Sequence, residues 1–377
     1  MDFNFTEEQT LLRNMVQSFV DDHYDFDKRM QIVTSDEGMS RDNWQQFAEL
    51  GLLAAPFDEE LGGLGGGALD SMIIMEEFGK GLVTEPYLPT IVLCGGLLER
   101  HANDSQKEAH LMPIIGGEKI WALAYAEAQS RFNPANVSTT AKAKGDGYVL
   151  NGQKSVVMAG PWADWLIVSA RTSGSGWERG GISLFLVEKS AAGVATQDYE
   201  TIDAGRACDI SFENVELGAD ALLGPLDGGL ELLERALDFG IAAMCGEAVG
   251  NMKKTYEATV EYCKTRKQFG VPIGSFQALQ HRMVDMFMEY EQSVSMTYMV
   301  NLHVDDDAER AKSASGAKVQ IGKAGRFIGQ SAVHLHGGMG MSEELNVGHY
   351  FKRLTAIDAQ LGSVDYHLKR FAAVDAA

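Results

Sequence analysis

Two short strings in this chain carry residue types suited to holding a phosphate-bearing ligand. One is Arg266-Lys267-Gln268-Phe269-Gly270; the other is His336-Gly337-Gly338-Met339-Gly340. An arginine offers a planar fork of donors that matches phosphate oxygens. A nearby aromatic ring such as Phe269 packs on a flat ligand, and glycines let a backbone approach closely with its N–H groups turned outward. Each string alone has a plainer reading, a solvated basic turn at a helix end or a simple helix–helix turn.

Other candidates are weaker. The run Leu61-Gly62-Gly63-Leu64-Gly65-Gly66-Gly67 lacks the Gly-Lys-Ser/Thr of a P-loop and reads as a flexible turn ahead of a helix at Leu69–Gly79. His334-x-His336 has no third ligand at metal spacing, so no metal is expected. Cys94, Cys208, Cys245 and Cys263 lie far apart with no CxxC pair, which fits reduced thiols and a cytoplasmic location. Met283, Met286, Met288, Met296 and Met299 recur at near-helical spacing and read as core filler.

The elements that must position these residues follow from length and periodicity. At 377 residues the chain is too long for one core. Its formal charge of −21 repels nucleic-acid phosphates and anionic lipid heads, so neither partner is expected. The acidic N-terminus lacks the basic start of a signal peptide, and no apolar run reaches the ~20 residues of a membrane span. Residues 1–115 read as helical: Thr6-Glu7-Glu8-Gln9 has the form of a capping box, and Leu11, Leu12, Met15, Phe19 and Val20 follow at helical spacing. A second amphipathic helix carries Trp44 and Phe47. Residues 116–225 change period. Gly147–Gly152 reads as a strand closed by an Asn-Gly turn, and Trp165–Ala170, Ile182–Val187 and Ile210–Val215 as further short strands of a small barrel or sandwich. From 226 to 377 the helical period returns, with helices expected over Leu230–Lys264, Phe276–Leu302 and Ala308–Leu335 and a solvated loop at Asp305-Asp306-Asp307. The expected class is α+β: an N-terminal helical domain (1–115), a middle β-domain (116–225) and a C-terminal four-helix bundle (226–377).

That order resembles the acyl-CoA dehydrogenase family over essentially the whole chain. The strings Tyr148-Val149-Leu150-Asn151-Gly152-Gln153-Lys154, Arg266 through Gln280 and His336 through Gly340 carry the likeness. The resemblance implies an FAD enzyme that removes a proton from Cα and a hydride from Cβ of an acyl-CoA. It assigns Arg266, Phe269, Gln277, Gln280, His334, Gly337, Gly338 and Gly340 to the ADP half of an FAD lying across a subunit interface. It also implies an electron-transfer flavoprotein as redox partner.

Other positions depart from the family. The flavin-ring segment of the type Tyr-x-x-Thr-Glu-Pro-x-x-Gly-Ser-Asp is replaced here by Tyr125-Ala126-Glu127-Ala128-Gln129-Ser130-Arg131-Phe132-Asn133. Arg131 is left as a candidate contact for CoA phosphates. The second ring contact, Trp-Ile-Thr-Asn in the family, is Val156-Val157-Met158-Ala159. The two places where the family carries its catalytic Glu hold Gly240 and Leu361, neither of which takes a proton. Glu247 is the substitute candidate, a carboxylate among apolar neighbours that reads either as a base of raised pKa or as a paired core residue. Asp358 and Asp365 are the other candidates for the base, with the plainer reading that they are surface groups. The pattern resembles the small subunit of heteromeric α2β2 acyl-CoA dehydrogenases of pimeloyl or steroid type, in which a larger partner supplies the ring contacts and the Glu. The alternatives are a self-sufficient homo-oligomer using Glu247 and a non-catalytic flavin-binding or scaffold homologue.

Overall fold

A computed structural model describes residues 5–375. In chain order the helices before the sheet are α1 (Glu7–His23), α2 (Phe26–Val33), α3 (Arg41–Glu49), α4 (Ala68–Gly81), α5 (Gly96–His101), α6 (Asp104–Gln106) and α7 (Met112–Ile115). The strands of the middle region are β1 (Trp121–Ala124), β2 (Thr140–Lys144), β3 (Gly147–Met158), β4 (Trp165–Arg171), β5 (Ile182–Glu188), β6 (Val194–Glu200), β7 (Arg206–Leu217) and β8 (Leu222–Leu223). Then come α8 (Gly229–Thr265), the short strands β9 (Lys267–Gln268) and β10 (Val271–Pro272), and helices α9 (Gln277–His303), α10 (Arg310–His336), α11 (Asn346–Ala359) and α12 (Val364–Asp375). Among the described residues no helix is long and apolar enough to cross a membrane.

The chain divides into two compact units, and α8 contributes to both. One unit joins the residues up to Ser35, Ala68–Val83 and the chain from Ile241 onward. In it the N-terminal capping box forms as its sequence requires. Thr6 Oγ1 accepts the Gln9 N–H at 3.1 Å, and Gln9 Oε1 accepts the Thr6 N–H at 3.2 Å. The buried stripe of α1 is Val16, Phe19 and Val20; Leu11, expected inside, is 68% exposed. Glycines set the closeness of α4 and α8. A Cβ on Gly250 would lie 1.9 Å from the Glu76 carbonyl oxygen, and one on Gly79 would lie 2.0 Å from that of Glu247. The two helix backbones therefore touch without intervening side chains. Within the C-terminal bundle α10 is the hub, packed on α9, α11 and α12.

The other unit joins Asp36–Gly67 and Thr84–Gly240. The glycine run at 61–67 is an ordered loop rather than a flexible turn. The N–H groups of Leu64, Gly65 and Gly66 bond to the carbonyls of Ala54, Phe57 and Ala55, and a Cβ on Gly63 would meet the Phe57 carbonyl at 2.1 Å. Those N–H groups are used by the protein itself, so the loop has none of them to offer a phosphate.

The sheet runs in the order β6-β7-β3-β2-β4-β5-β8, with β1 pairing in parallel with β4. Leu150, Val168, Phe185, Ile210 and Phe212 are buried together in its core. Asn151-Gly152 is not a turn. The strand β3 runs through it, and the two-residue turn falls instead at Gly145-Asp146, where Lys144 pairs with Gly147. Asn-Gly marks a bulge: the pairing with β7 shifts between Leu150 and Gly152, and Asn151 Oδ1 accepts the Asn214 N–H at 2.8 Å. Gly152 has φ +146°, and a Cβ there would lie 2.6 Å from Thr139.

Candidate cofactor site

The strings Arg266–Gly270 and His336–Gly340 meet at one end of the bundle. Tyr262, in the last turn of α8, stacks on His336, the last residue of α10, with ring centroids 4.2 Å apart. Its hydroxyl donates to the His336 carbonyl at 3.3 Å. His336 is buried, and burial pushes its pKa down although the bond to the Ala332 carbonyl opposes this. The ring is therefore a neutral spacer that docks the Gly337–Gly340 turn beside the end of α8.

Beyond Tyr262 the chain leaves α8 and makes a miniature hairpin. The pairs Gln268–Val271 and Lys267–Pro272 leave Phe269 and Gly270 as a two-residue turn with φ of +54° and +83°. Positive φ at both positions is the geometry of a type I′ turn, and a phenylalanine adopts it at a cost. The turn pushes the Phe269 ring out to 92% exposure, in edge contact with Phe276. Gln280 reaches back from α9 and donates to the Gly274 carbonyl at 2.9 Å, bracing the hairpin. Gln277 stands exposed at the first position of α9. His334 is exposed, with Nδ1 2.7 Å from Arg282 Nη1.

The glycines here separate into two kinds. A Cβ on Gly340 would lie 2.7 Å from the Val333 carbonyl, so packing alone requires glycine there. Nothing lies within 4 Å of a Cβ placed on Gly270, Gly337 or Gly338. Gly337 (φ +60°, ψ −138°) and Gly270 are held by backbone conformation. Gly338 has neither reason; its missing Cβ leaves open space over an exposed backbone. The Arg266 side chain is exposed and has no protein partner among the described residues. A free guanidinium, an exposed ring and an open glycine at one place fit a flat, phosphate-bearing cofactor.

The base candidates fare differently. Gly240 lies within α8 and carries no side chain. Leu361 follows α11 in a left-handed conformation (φ +54°). Its turn is held by side chains from neighbouring helices. Lys318 Nζ, fully buried, donates to the carbonyls of Ile357, Asp358 and Gly362 at 2.8, 3.1 and 2.8 Å, and His367 Nε2 lies 2.9 Å from the Leu361 carbonyl. Glu247 is buried and spoken for. Arg353 Nε meets Oε1 at 2.5 Å and Arg353 Nη2 meets Oε2 at 2.7 Å, the bidentate fork that occupies both carboxylate oxygens. Asp358 is not at the surface: it is 7% exposed, bonded through Oδ2 to Arg326. Asp365 is exposed in the first turn of α12.

The altered ring segment is organised by a pair that sequence spacing did not disclose. Lys154 Nζ, buried on β3, lies 2.7 Å from Glu127 Oε1 and also donates to Ser169 Oγ and the Tyr125 carbonyl. Glu127 further accepts from the N–H groups of Ser138 and Thr139 and from Gln129. Burial alone would raise the Glu127 pKa, but the Lys154 ammonium and these donors hold it at about 2. Burial lowers that of Lys154 to about 8 against the pull of the carboxylate. The signal available beforehand was a lysine in a β-strand register otherwise pointing inward. Arg131 is exposed with φ +49°. At the other ring position Val156 is 56% exposed at φ +54°, while Val157 and Ala159 are buried. Neither Val156, Val157 nor Ala159 brings a side-chain donor or acceptor to a flavin.

Comparison with known proteins bears on all of this. Three family models match in order: acyl-CoA dehydrogenase N-terminal domain over residues 6–118, middle domain over 122–215 and C-terminal domain over 227–374. The mitochondrial isovaleryl-CoA dehydrogenase of Pongo abelii is 30% identical over 354 residues, covering 92% of this chain and 84% of that protein. The ChsE4-ChsE5 complex from Mycobacterium tuberculosis superposes with a TM-score of 0.91 at 25% identity, over 100% of this chain and 99% of the other. The FAD complex of PigA does so at 0.92 and 26% identity, over 99% and 98%.

Proposed function

The chain belongs to the acyl-CoA dehydrogenase family, and from that premise we propose that it is the subunit of a heteromeric enzyme that closes the ADP half of a shared FAD. FAD is the cofactor of this family, and when bound it supplies the hydride acceptor for α,β-desaturation of an acyl-CoA thioester. In this reading Arg266 takes the pyrophosphate, Phe269 packs on the nucleotide, and the backbone at Gly337-Gly338 lies against the cofactor. Gln277, Gln280 and His334 complete that half, and Gly340 holds the turn beneath it. The flavin-ring contacts and the catalytic Glu come from a larger partner subunit in an α2β2 assembly, with an electron-transfer flavoprotein as acceptor and a steroid-type or dicarboxylic acyl-CoA as substrate. A cytoplasmic location goes with this reading.

One observation carries the split: among the described residues neither usual base position holds a carboxylate, and the substitute candidate Glu247 is already paired. Gly240 and Leu361 occupy the usual positions, and both oxygens of Glu247 are taken by Arg353. A carboxylate held in a bidentate ion pair is stabilised as the anion and fixed in place, which weakens it as a base and removes its reach. The likeness to the ChsE4-ChsE5 complex, which spans the whole of this chain, supports a two-chain enzyme as the frame.

The test is co-expression with the larger dehydrogenase subunit of the same organism, followed by FAD counting and acyl-CoA-dependent dye bleaching. Two FAD per tetramer, with activity only in the mixed assembly, is the expected result. If the lone chain holds a full complement of FAD and turns over acyl-CoA, and Glu247→Gln abolishes this while the fold persists, the chain is self-sufficient. A flavin-loaded mixed assembly without turnover of any acyl-CoA class tried would leave the scaffold reading instead.

A further inference from the structure

Arg282 keeps unusual company for an arginine of this chain. With a formal charge of −21 the protein has carboxylates to spare, and it seats Arg13, Arg326 and Arg353 on Glu76, Asp358 and Glu247. Arg282 has none. Among the described residues its only partner is His334, whose Nδ1 lies 2.7 Å from Arg282 Nη1. Arg266, on the neighbouring hairpin, has no protein partner at all among them. Two guanidiniums in one part of the bundle are thus left without an opposite charge.

The bond to His334 fixes which group does what. A guanidinium has donors only, so Nη1–H donates and Nδ1 accepts with its lone pair. The imidazole is then neutral, with its proton on Nε2, and Nε2–H has no acceptor among the described residues. The place matters as much as the tautomer. His334 is exposed in the last turn of α10, and its carbonyl accepts the N–H of Gly337, the first glycine of the open turn. Arg282 is half-buried on α9, two residues beyond the Gln280 that braces the hairpin. The pair therefore links the element that carries one cofactor string to the element that carries the other. Holding α9 to α10 does not require it, since the two helices pack directly against each other.

We infer that Arg282 is a positioning residue for the cofactor. It grips His334 by Nδ1, leaves Nε2–H as the donor to a phosphate-bearing ligand at the glycine turn, and sets an uncompensated charge directly behind that donor. A donor polarised from behind by a cation binds an anion more strongly than a lone imidazole does. A pyrophosphate carries a negative charge on each phosphate, and Arg266 alone answers one of them; Arg282, acting through His334, supplies the second. The inference rests on the cofactor reading of Arg266 and the glycine turn, and adds a residue that lies in neither string.

The experiment uses the complex isolated from the producing organism, stripped of flavin and titrated with FAD. Arg282→Met should weaken FAD binding about tenfold. Arg282→Lys, which keeps a donor and a charge, should recover most of that loss. With His334→Ala already present, Arg282→Met should cost less than about twofold, because its route to the cofactor is gone. The melting temperature of the flavin-free complex should be the same for all of these variants, which a mere clamp between helices would not allow. Unchanged FAD binding in Arg282→Met overturns the inference, and so does a tenfold loss that persists when His334 is alanine. Arg266→Gln, measured alongside, separates this inference from the reading beneath it. Loss of FAD in Arg266→Gln but not in Arg282→Met sinks the role of Arg282 alone, whereas full FAD binding in both sinks the cofactor reading as well.

Discussion

His367 gives this protein a specific sensitivity to acid. It is 1% exposed, with Nε2 2.9 Å from the Leu361 carbonyl and Nδ1 3.5 Å from Ser315 Oγ. One neutral tautomer satisfies both: Nε2–H donates to the carbonyl, and Nδ1 accepts from the serine hydroxyl. Burial pushes the imidazole down to about 4; the bond to Leu361 opposes this, and the Lys318 and Arg370 cations reinforce it. The unfolded chain takes up a proton near pH 6.5, so between these values the unfolded state binds more protons than the native one. Stability is therefore fully present above pH 6.5 and is lost as the pH falls toward 4. The whole effect is about 3 kcal/mol, of which about 2 kcal/mol is gone by pH 5. Denaturant midpoints at pH 7.5 and 5.0 test this in the wild type and in His367→Gln, which keeps an amide donor but does not titrate. The wild type should lose about 2 kcal/mol more than the variant over that interval, which cancels the contributions of other histidines. Equal losses would refute the reasoning, as would an imidazole that titrates near 6.5 by NMR in the folded protein.

Lys154→Met should destabilise the sheet-bearing unit by about 3–5 kcal/mol, read by thermal unfolding, because it strands the Glu127 carboxylate in the interior. Removing both charges, with Glu127→Gln as well, should recover part of that loss. Gly338→Val should reduce FAD retention at least tenfold with an unchanged circular-dichroism spectrum, since its side chain enters open space. Gly340→Val should instead lower the melting temperature, since its side chain meets the Val333 carbonyl. Glu247→Gln should weaken the bundle but leave the turnover of the mixed assembly intact; a loss of kcat without a loss of stability would make it the base.

The capping box at Thr6–Gln9, the helices after residue 226 and the strands at 165–170 and 182–187 were legible because each rests on local spacing. The hairpin at Lys267–Pro272 and the glycine turn at Gly337–Met341 form from neighbours in sequence, which is why these two strings stood out as local features. Misreadings came where a local signal had a second structural meaning. Asn151-Gly152 has the residues of a turn, but its conformation serves a bulge as well, and only the pairing of β3 with β7 chose between them. Leu11 obeys helical spacing but sits on the edge of the stripe that Val16, Phe19 and Val20 bury.

By itself the sequence determined the family, the order of helical and β segments, and the absence of a carboxylate at positions 240 and 361, since these depend on residue identity and short-range period. Tertiary structure decided what the remaining charges do. Arg353 lies 106 residues from Glu247, and Lys154 lies 27 from Glu127, yet each pair shares a buried bond. Burial and the nearness of an opposite charge set the chemistry of a carboxylate, and both are properties of chain segments brought together by folding.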